Sequence, residues 1–97
     1  MNGTGIEEQV IKEIILLAEK HAITKVILFG SRARGDYHRA SDIDLAVSGG
    51  NVTEFSLDVE ELTSTLLTYD VVDMDKKLQA KFRESIEKEG KTLYEKI

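Results

Sequence analysis

The chain has 97 residues and a formal net charge of −5, with 41% apolar and 32% charged residues and no cysteine. These values predict one globular domain over residues 1–97 and exclude a disordered chain, disulfides and thiolate chemistry. The acidic balance argues against a general nucleic-acid binder. Because no apolar run approaches the roughly 18 residues of a membrane span and no signal peptide is evident, we expect a cytoplasmic protein without a membrane partner.

The first third of the chain predicts a helix, a strand and a short second helix. Thr4 and Glu7 fit a capping box for the first helix. Five apolar residues and one histidine then recur at helical spacing: Ile6, Val10, Ile14, Leu17, Ala18 and His21. Residues 25–30 are rich in β-branched side chains and end in glycine, which is typical of a buried strand. Residues 31–34 are expected to form a short helix that Gly35 terminates.

The middle of the chain predicts a second strand and another helix. Residues 42–48 alternate, so that one face carries aspartates and the other carries the apolar side chains of the core. Gly49 and Gly50 break this strand. An amphipathic helix is then indicated by four apolar residues, Phe55, Val59, Leu62 and Leu66.

The last third predicts a third strand over about residues 68–74 and a third long helix. Asp75 is the expected N-cap of this helix, and Gly90 is the expected left-handed residue at its end. Its apolar face would consist of Leu78, Phe82 and Ile86. The tail from residue 91 is ambiguous, although Thr-Leu-Tyr could form a last short strand.

The order of these elements predicts the fold class. Only about a dozen residues connect the first two strands, which is too short for a comfortable helical crossover. We therefore expect an α/β (α+β) fold, with a small mixed or antiparallel sheet of three to four strands flanked by helices.

Two aspartates, Asp42 and Asp44, are the first candidates for a site. Two residues apart on a strand, they share a face, with about 6.6 Å between their α-carbons. Carboxylates that close repel each other unless a cation lies between them, and Mg²⁺ prefers such hard oxygen ligands. Two Mg²⁺ ions about 3.5–4 Å apart can clamp the oxygens of a phosphoryl group. A solvated strand face is the alternative interpretation of an isolated Asp-x-Asp.

The second candidate is the turn at Gly30 and Ser31, where a strand ends and a helix is expected to begin. Backbone N–H groups at such a point attract phosphate, and the Ser31 hydroxyl adds a donor. A P-loop is excluded, because Asp36 and Tyr37 stand where lysine and serine or threonine are required. A glycine–serine pair alone is also common in ordinary turns.

Together, the two candidates form a more specific pattern, GSRARGDYHRASDIDL. It resembles the Gly-Ser, ten-residue gap, Asp-x-Asp signature of the DNA polymerase beta-like nucleotidyltransferase superfamily. More narrowly, it is similar to the minimal nucleotidyltransferases of bacteria and archaea, which share the Ser-Arg-Ala-Arg-Gly and Ser-Asp-x-Asp-Leu segments. The resemblance implies a nucleotidyltransferase-like fold and an enzyme that transfers a nucleoside monophosphate.

The resemblance also implies a third carboxylate on an adjacent strand, within TYDVVDMD. Asp70 matches best, because the family's third acid precedes a short apolar run. Strand alternation places Asp73 on the opposite face from Asp70, and Asp75 is better suited to capping a helix. The choice between Asp70 and Asp73 stays open at this point.

The resemblance implies that Asp42, Asp44 and Asp70 are the catalytic residues and the ligands of two Mg²⁺ ions. Asp70 could also accept the proton of the attacking hydroxyl.

The nucleotide-binding residues implied by the resemblance are Gly30, Ser31, Arg32 and Arg34. The first two would cradle the β- and γ-phosphates. One arginine could reach the triphosphate with a bidentate fork, while the other braces the fold or lies in solvent. ATP is the expected substrate.

The acceptor is expected to come from outside the chain, because 97 residues leave no room for a substrate-gripping domain. In the resembled group, these small transferases are commonly paired with a helical protein of the HEPN or substrate-binding type. Some act as antitoxins that transfer AMP to a tyrosine of a HEPN toxin. A homodimer is another arrangement that could complete the site.

Three alternatives remain at the sequence level. The acceptor could be a small molecule such as an aminoglycoside, or an RNA end, although the acidic charge argues against RNA. The chain could also be a binding module that masks its partner without catalysis.

Overall fold

The computed structural model describes residues 3–97, which form four helices and a four-stranded sheet. In chain order these are α1 (Glu8–Lys20), β1 (Lys25–Phe29), α2 (Gly30–Arg34), β2 (Ile43–Ser48), α3 (Val52–Leu62), β3 (Tyr69–Asp73), α4 (Ala80–Glu89) and β4 (Lys91–Glu95). The α/β fold class expected from the sequence is confirmed, as is the last short strand. None of the helices in residues 3–97 is both long and apolar enough to cross a membrane.

The sheet is mixed, with strand order β3-β2-β1-β4. Strand β1 pairs antiparallel with β2 and β4, whereas β2 pairs parallel with β3. The antiparallel pair needs only a short connection, and the parallel pair is joined through α3, as a parallel crossover requires. Strand β3 is therefore an edge strand beside β2.

Helices cover both faces of the sheet. Helices α1 and α3 pack on one face, where the apolar residues of β2 form the main core with Ile14, Phe55 and Val59. On the other face, Ile86 of α4 packs against Ile27 and Ala46 in a second, smaller cluster. Ala46 is thus buried, although it lies on the polar side of β2.

The expected apolar face of α3 is only half correct. Phe55 and Val59 are fully buried, but Leu62 ends the helix and is 57% exposed. Leu66 lies outside the helix and is fully exposed, because Thr63 leaves the helix in an extended conformation. The chain then turns into β3.

Three predicted helix ends are wrong. Helix α1 starts after Glu7, which makes no side-chain cap bond, and the Thr4 hydroxyl accepts from the Ile6 amide instead. Asp75 does not cap α4, which begins after Gln79. Its carboxylate accepts the Gly49 amide at 2.7 Å and so ties the end of β3 to the turn after β2.

Gly90 is the third of these helix ends. It closes α4 but is not left-handed, since its φ is −71° and the chain continues directly into β4. An added Cβ would lie 2.3 Å from Ile27 Cγ2, so close helix–strand packing is the reason for glycine here.

Candidate active site

The predicted carboxylates lie at one end of β2 and β3. Asp44 and Asp70 are direct partners in the parallel ladder, so their side chains project from the same face. Asp42 directly precedes β2, and its carboxylate accepts a hydrogen bond from the Thr68 hydroxyl, just before β3. The register therefore brings residues from two distant chain segments to one place.

The closeness of the three carboxylates affects the pKa of Asp44. Burial raises the pKa of the half-buried Asp44 carboxyl, and the negative charges of Asp70 and Asp42 raise it further. The positive charges of Arg34 and Arg32 oppose the rise. Asp44 thus lies in a field of both signs, in which a cation between the carboxylates would be favoured.

The donor set fits Mg²⁺, because all three side chains offer hard carboxylate oxygens and the like charges need a counter-charge. Within residues 3–97, no three acidic, histidine or cysteine side chains lie close enough together to hold a metal ion in this structure. Asp42 is instead engaged by Thr68.

Asp73 and Asp75 lie away from this group. Asp73 pairs with the buried Val47, whose side chain lies on the α1 and α3 side of the sheet. Its carboxylate accepts the Asp75 amide at 2.9 Å. Of the three acids in TYDVVDMD, Asp70 is therefore the one beside Asp44.

Gly30 is in direct contact with the carboxylate group. Its φ is +73°, and a Cβ at this position would lie 2.1 Å from the Asp44 Oδ2 atom. Only glycine combines this backbone conformation with such a close approach. The glycine–serine turn and the Asp-x-Asp strand, which ten residues separate in the chain, are thus neighbours in space.

The Arg32 side chain is buried and bonded to the backbone of the protein. Its side chain is 2% exposed and donates to three backbone carbonyls: Thr4 at 2.9 Å, Ser41 at 3.0 Å and Arg39 at 3.2 Å. Its guanidinium also stacks on the Tyr37 ring, 4.8 Å from the centroid. The structure gives Arg32 a bracing role, and its contact with a nucleotide stays a prediction.

Arg34 has an accessible guanidinium. It makes exposed ion pairs with Asp36 at 3.4 Å and with Glu89 of α4 at 3.7 Å. Exposed pairs of this kind contribute little stability, so the guanidinium can exchange them for another anion. Of the two arginines, Arg34 is the one available to a ligand.

Thr68 is the site residue that the sequence analysis missed. The sequence predicts Thr68 within a strand, where threonine is common, and no motif marks its hydroxyl. The available signal was its position two residues before Asp70, on the same side of an alternating segment.

Comparison with known proteins identifies the family of the chain. Residues 9–97 match the family described as Polymerase beta, Nucleotidyltransferase. The chain is 38% identical over 100 residues to the "Putative protein adenylyltransferase MJ0604" of Methanocaldococcus jannaschii, covering 91% of this chain and 98% of that protein.

Two solved structures show the same fold. One is the toxin–antitoxin complex MntA-HpeT in a mutant form, with a TM-score of 0.69 and 25% identity over 89% of this chain and 73% of that chain. The other is described as a "putative minimal nucleotidyltransferase", with a TM-score of 0.66 and 28% identity over 84% of this chain and 86% of that chain. The chain therefore belongs to the polymerase beta nucleotidyltransferase family and is an enzyme of the minimal nucleotidyltransferase type.

Proposed function

We propose that this protein is a cytoplasmic antitoxin that transfers AMP from ATP to a hydroxyl group of a HEPN-type partner protein. The observation that carries the proposal is the contact of Gly30 with Asp44, which itself pairs with Asp70. The relative from Methanocaldococcus jannaschii, named as a protein adenylyltransferase, supports AMP and a protein acceptor. The toxin–antitoxin complex with the same fold supports the pairing with a toxin.

We propose that Asp42, Asp44 and Asp70 would hold two Mg²⁺ ions. When bound, the ions would neutralise charge on the triphosphate and in the transition state. The Thr68 hydroxyl would orient Asp42.

Gly30 and Ser31 would hold the β- and γ-phosphates, because glycine allows backbone N–H groups to approach the oxygens closely. The Arg34 guanidinium would exchange its exposed ion pairs with Asp36 and Glu89 for hydrogen bonds to the triphosphate. Arg32 would act mainly by fixing the loop that leads to Asp42, through its bonds to Arg39 and Ser41.

In the reaction, the acceptor oxygen forms a bond to the α-phosphorus while the bond from that phosphorus to the β-phosphate oxygen breaks. Pyrophosphate leaves with the electron pair, and the proton of the acceptor hydroxyl passes to Asp70. Asp70 is exposed and lies on the edge strand β3, so a hydroxyl from another molecule can reach it. Positioning and charge stabilisation provide most of the rate gain.

The test is incubation of the protein with ATP labelled at the α-phosphate, Mg²⁺ and the protein encoded by the neighbouring reading frame. We expect label on the partner and loss of at least a hundredfold in rate for Asp42→Ala/Asp44→Ala. Asp73→Asn is the matched control, since this carboxylate lies on the other side of the sheet. Tight complex formation without labelling, unchanged in the double variant, would mean that the protein only masks its partner.

A further inference from the structure

An aromatic pair flanks the carboxylates on the same face of the sheet. Phe29 is the direct partner of Asp44 in the β1–β2 ladder, and paired residues project from the same face. The Phe29 side chain packs against the small cluster under α4, which confirms that this is the α4 side. The backbones of Asp44 and Phe29 are thus one strand spacing apart, roughly 4.8 Å, and their side chains are neighbours on one face.

Phe82 completes the pair from the first turn of α4. Its ring centroid lies 5.8 Å from that of Phe29, with an interplanar angle of 80°, an edge-to-face arrangement. One turn later, Ile86 is 1% exposed and anchors the helix, whereas Phe82 is 39% exposed. The core therefore holds only part of Phe82, and much of the ring remains open to a ligand.

The two sides of β2 serve different parts of the reaction. On one side lies the edge strand β3 with Asp70, where the acceptor approaches under the proposed function. On the other side lie β1 and the Gly30 turn that follows it, and α4 packs against both β1 and α2. Phe29 lies on this second side and Phe82 packs against it, next to the turn that binds the triphosphate under the proposed function.

We infer that Phe82, supported by Phe29, is the stacking surface for the nucleobase of the triphosphate substrate. This inference rests on the proposed function, since it takes the phosphates to be fixed between Gly30 and the carboxylates. A base has two flat faces that an exposed aromatic ring can cover, and such stacking tolerates every base. Because a purine has a larger flat surface than a pyrimidine, purine triphosphates should bind more tightly, with little distinction between adenine and guanine from this contact.

The test compares a ligand with a base and a ligand without one. The first is α,β-methylene-ATP, in which the bond broken by the reaction is replaced; the second is inorganic tripolyphosphate. Both are titrated calorimetrically with Mg²⁺ into the wild type, Phe82→Leu, Phe82→Trp and the control Leu62→Ala, which alters an exposed leucine on α3. Phe82→Leu keeps an apolar contact with Phe29, so that folding is preserved while the ring is lost.

We expect Phe82→Leu to weaken α,β-methylene-ATP roughly tenfold and to leave tripolyphosphate unchanged. Phe82→Trp should bind the nucleotide at least as well as the wild type, and Leu62→Ala should match the wild type for both ligands. The inference is overturned if Phe82→Leu binds both ligands like the wild type, or loses both equally. If the wild type binds neither ligand, the nucleotide site itself fails, and the proposed function fails with it.

Discussion

At the scale of single residues, the site depends on how closely backbone and side chains approach. Gly30 illustrates this, because its φ of +73° and the nearby Asp44 carboxylate each exclude a side chain. Gly35 provides a matched comparison: its φ is +94°, but an added Cβ would meet no atom within 4 Å.

Gly30→Ala and Gly35→Ala should therefore differ in function and not only in stability. Each imposes a left-handed alanine, which costs about 1–2 kcal/mol of the free energy of unfolding. Only Gly30→Ala displaces Asp44, so only this variant should lose Mg²⁺-dependent binding of α,β-methylene-ATP. Urea unfolding and calorimetric titration measure the two effects. Equal loss of nucleotide binding in both variants would contradict the role given to the Gly30–Asp44 contact.

The sequence predicted these residue types better than their contacts. Gly30, Ser31, Asp42 and Asp44 fall in one continuous motif, and its resemblance to a family signature implied a phosphate and metal site. The hydrogen bond of Thr68 with Asp42 and the hydrogen bond of Asp75 with Gly49 each join residues that are 26 positions apart. No local pattern encodes such contacts, because they exist only once the strands have paired.

At the scale of elements, the end of α3 is joined to the start of β3. The buried Tyr69 hydroxyl lies 2.8 Å from the Thr63 hydroxyl, whose proton is donated to the Val59 carbonyl. Burial raises the pKa of Tyr69, the Thr63 hydrogen bond lowers it, and the charge of Glu13 raises it. The net pKa lies above the ordinary value of 10.0.

This shift predicts a stability that depends on alkaline pH. Because the pKa of Tyr69 is higher in the folded state, its contribution is fully present below pH 10 and is lost as the pH rises through the folded value. Tyr69→Phe lacks this contribution, so the difference in unfolding free energy between wild type and variant should shrink above about pH 10. Urea unfolding of both proteins between pH 8 and 11 gives this difference. A difference that stays constant over this range would show that Tyr69 is not linked to folding.

The elements themselves were predicted well where the apolar period was clear, as in α1 and β2. The ends of α3 and α4 were predicted poorly. Leu66 continues the helical spacing, yet Thr63 leaves the helix and forms its hydrogen bond with Tyr69. Tertiary contacts thus override the local pattern at this point.

At the scale of the whole molecule, Arg32 connects the segment before α1 with the loop that leads into β2. Its three hydrogen bonds join Thr4, Arg39 and Ser41 to α2. Arg34, two residues later, is exposed and makes only surface ion pairs. Two arginines that are two residues apart in one motif therefore have different tasks.

Substitution of each arginine by methionine should separate these tasks. Arg32→Met leaves carbonyls without a donor and should reduce the free energy of unfolding by about 2–4 kcal/mol. Arg34→Met should cost less than about 1 kcal/mol but weaken tripolyphosphate binding about tenfold. Urea unfolding and titration with Mg²⁺-tripolyphosphate measure both. If Arg32→Met is as stable as the wild type and loses only ligand binding, Arg32 is a nucleotide ligand and not a brace.

The sequence by itself determined the α/β fold class, which follows from the periods of helix and strand, and the family, which follows from the resemblance of one continuous motif that also names the candidate site residues. Only the tertiary structure decided which acid lies beside Asp44 and which arginine has an exposed guanidinium. It also placed Phe29 and Phe82 on the face of the sheet that carries the carboxylates. The physical reason is that strand register and helix packing join residues far apart in the chain. Local periodicity carries no information about that pairing.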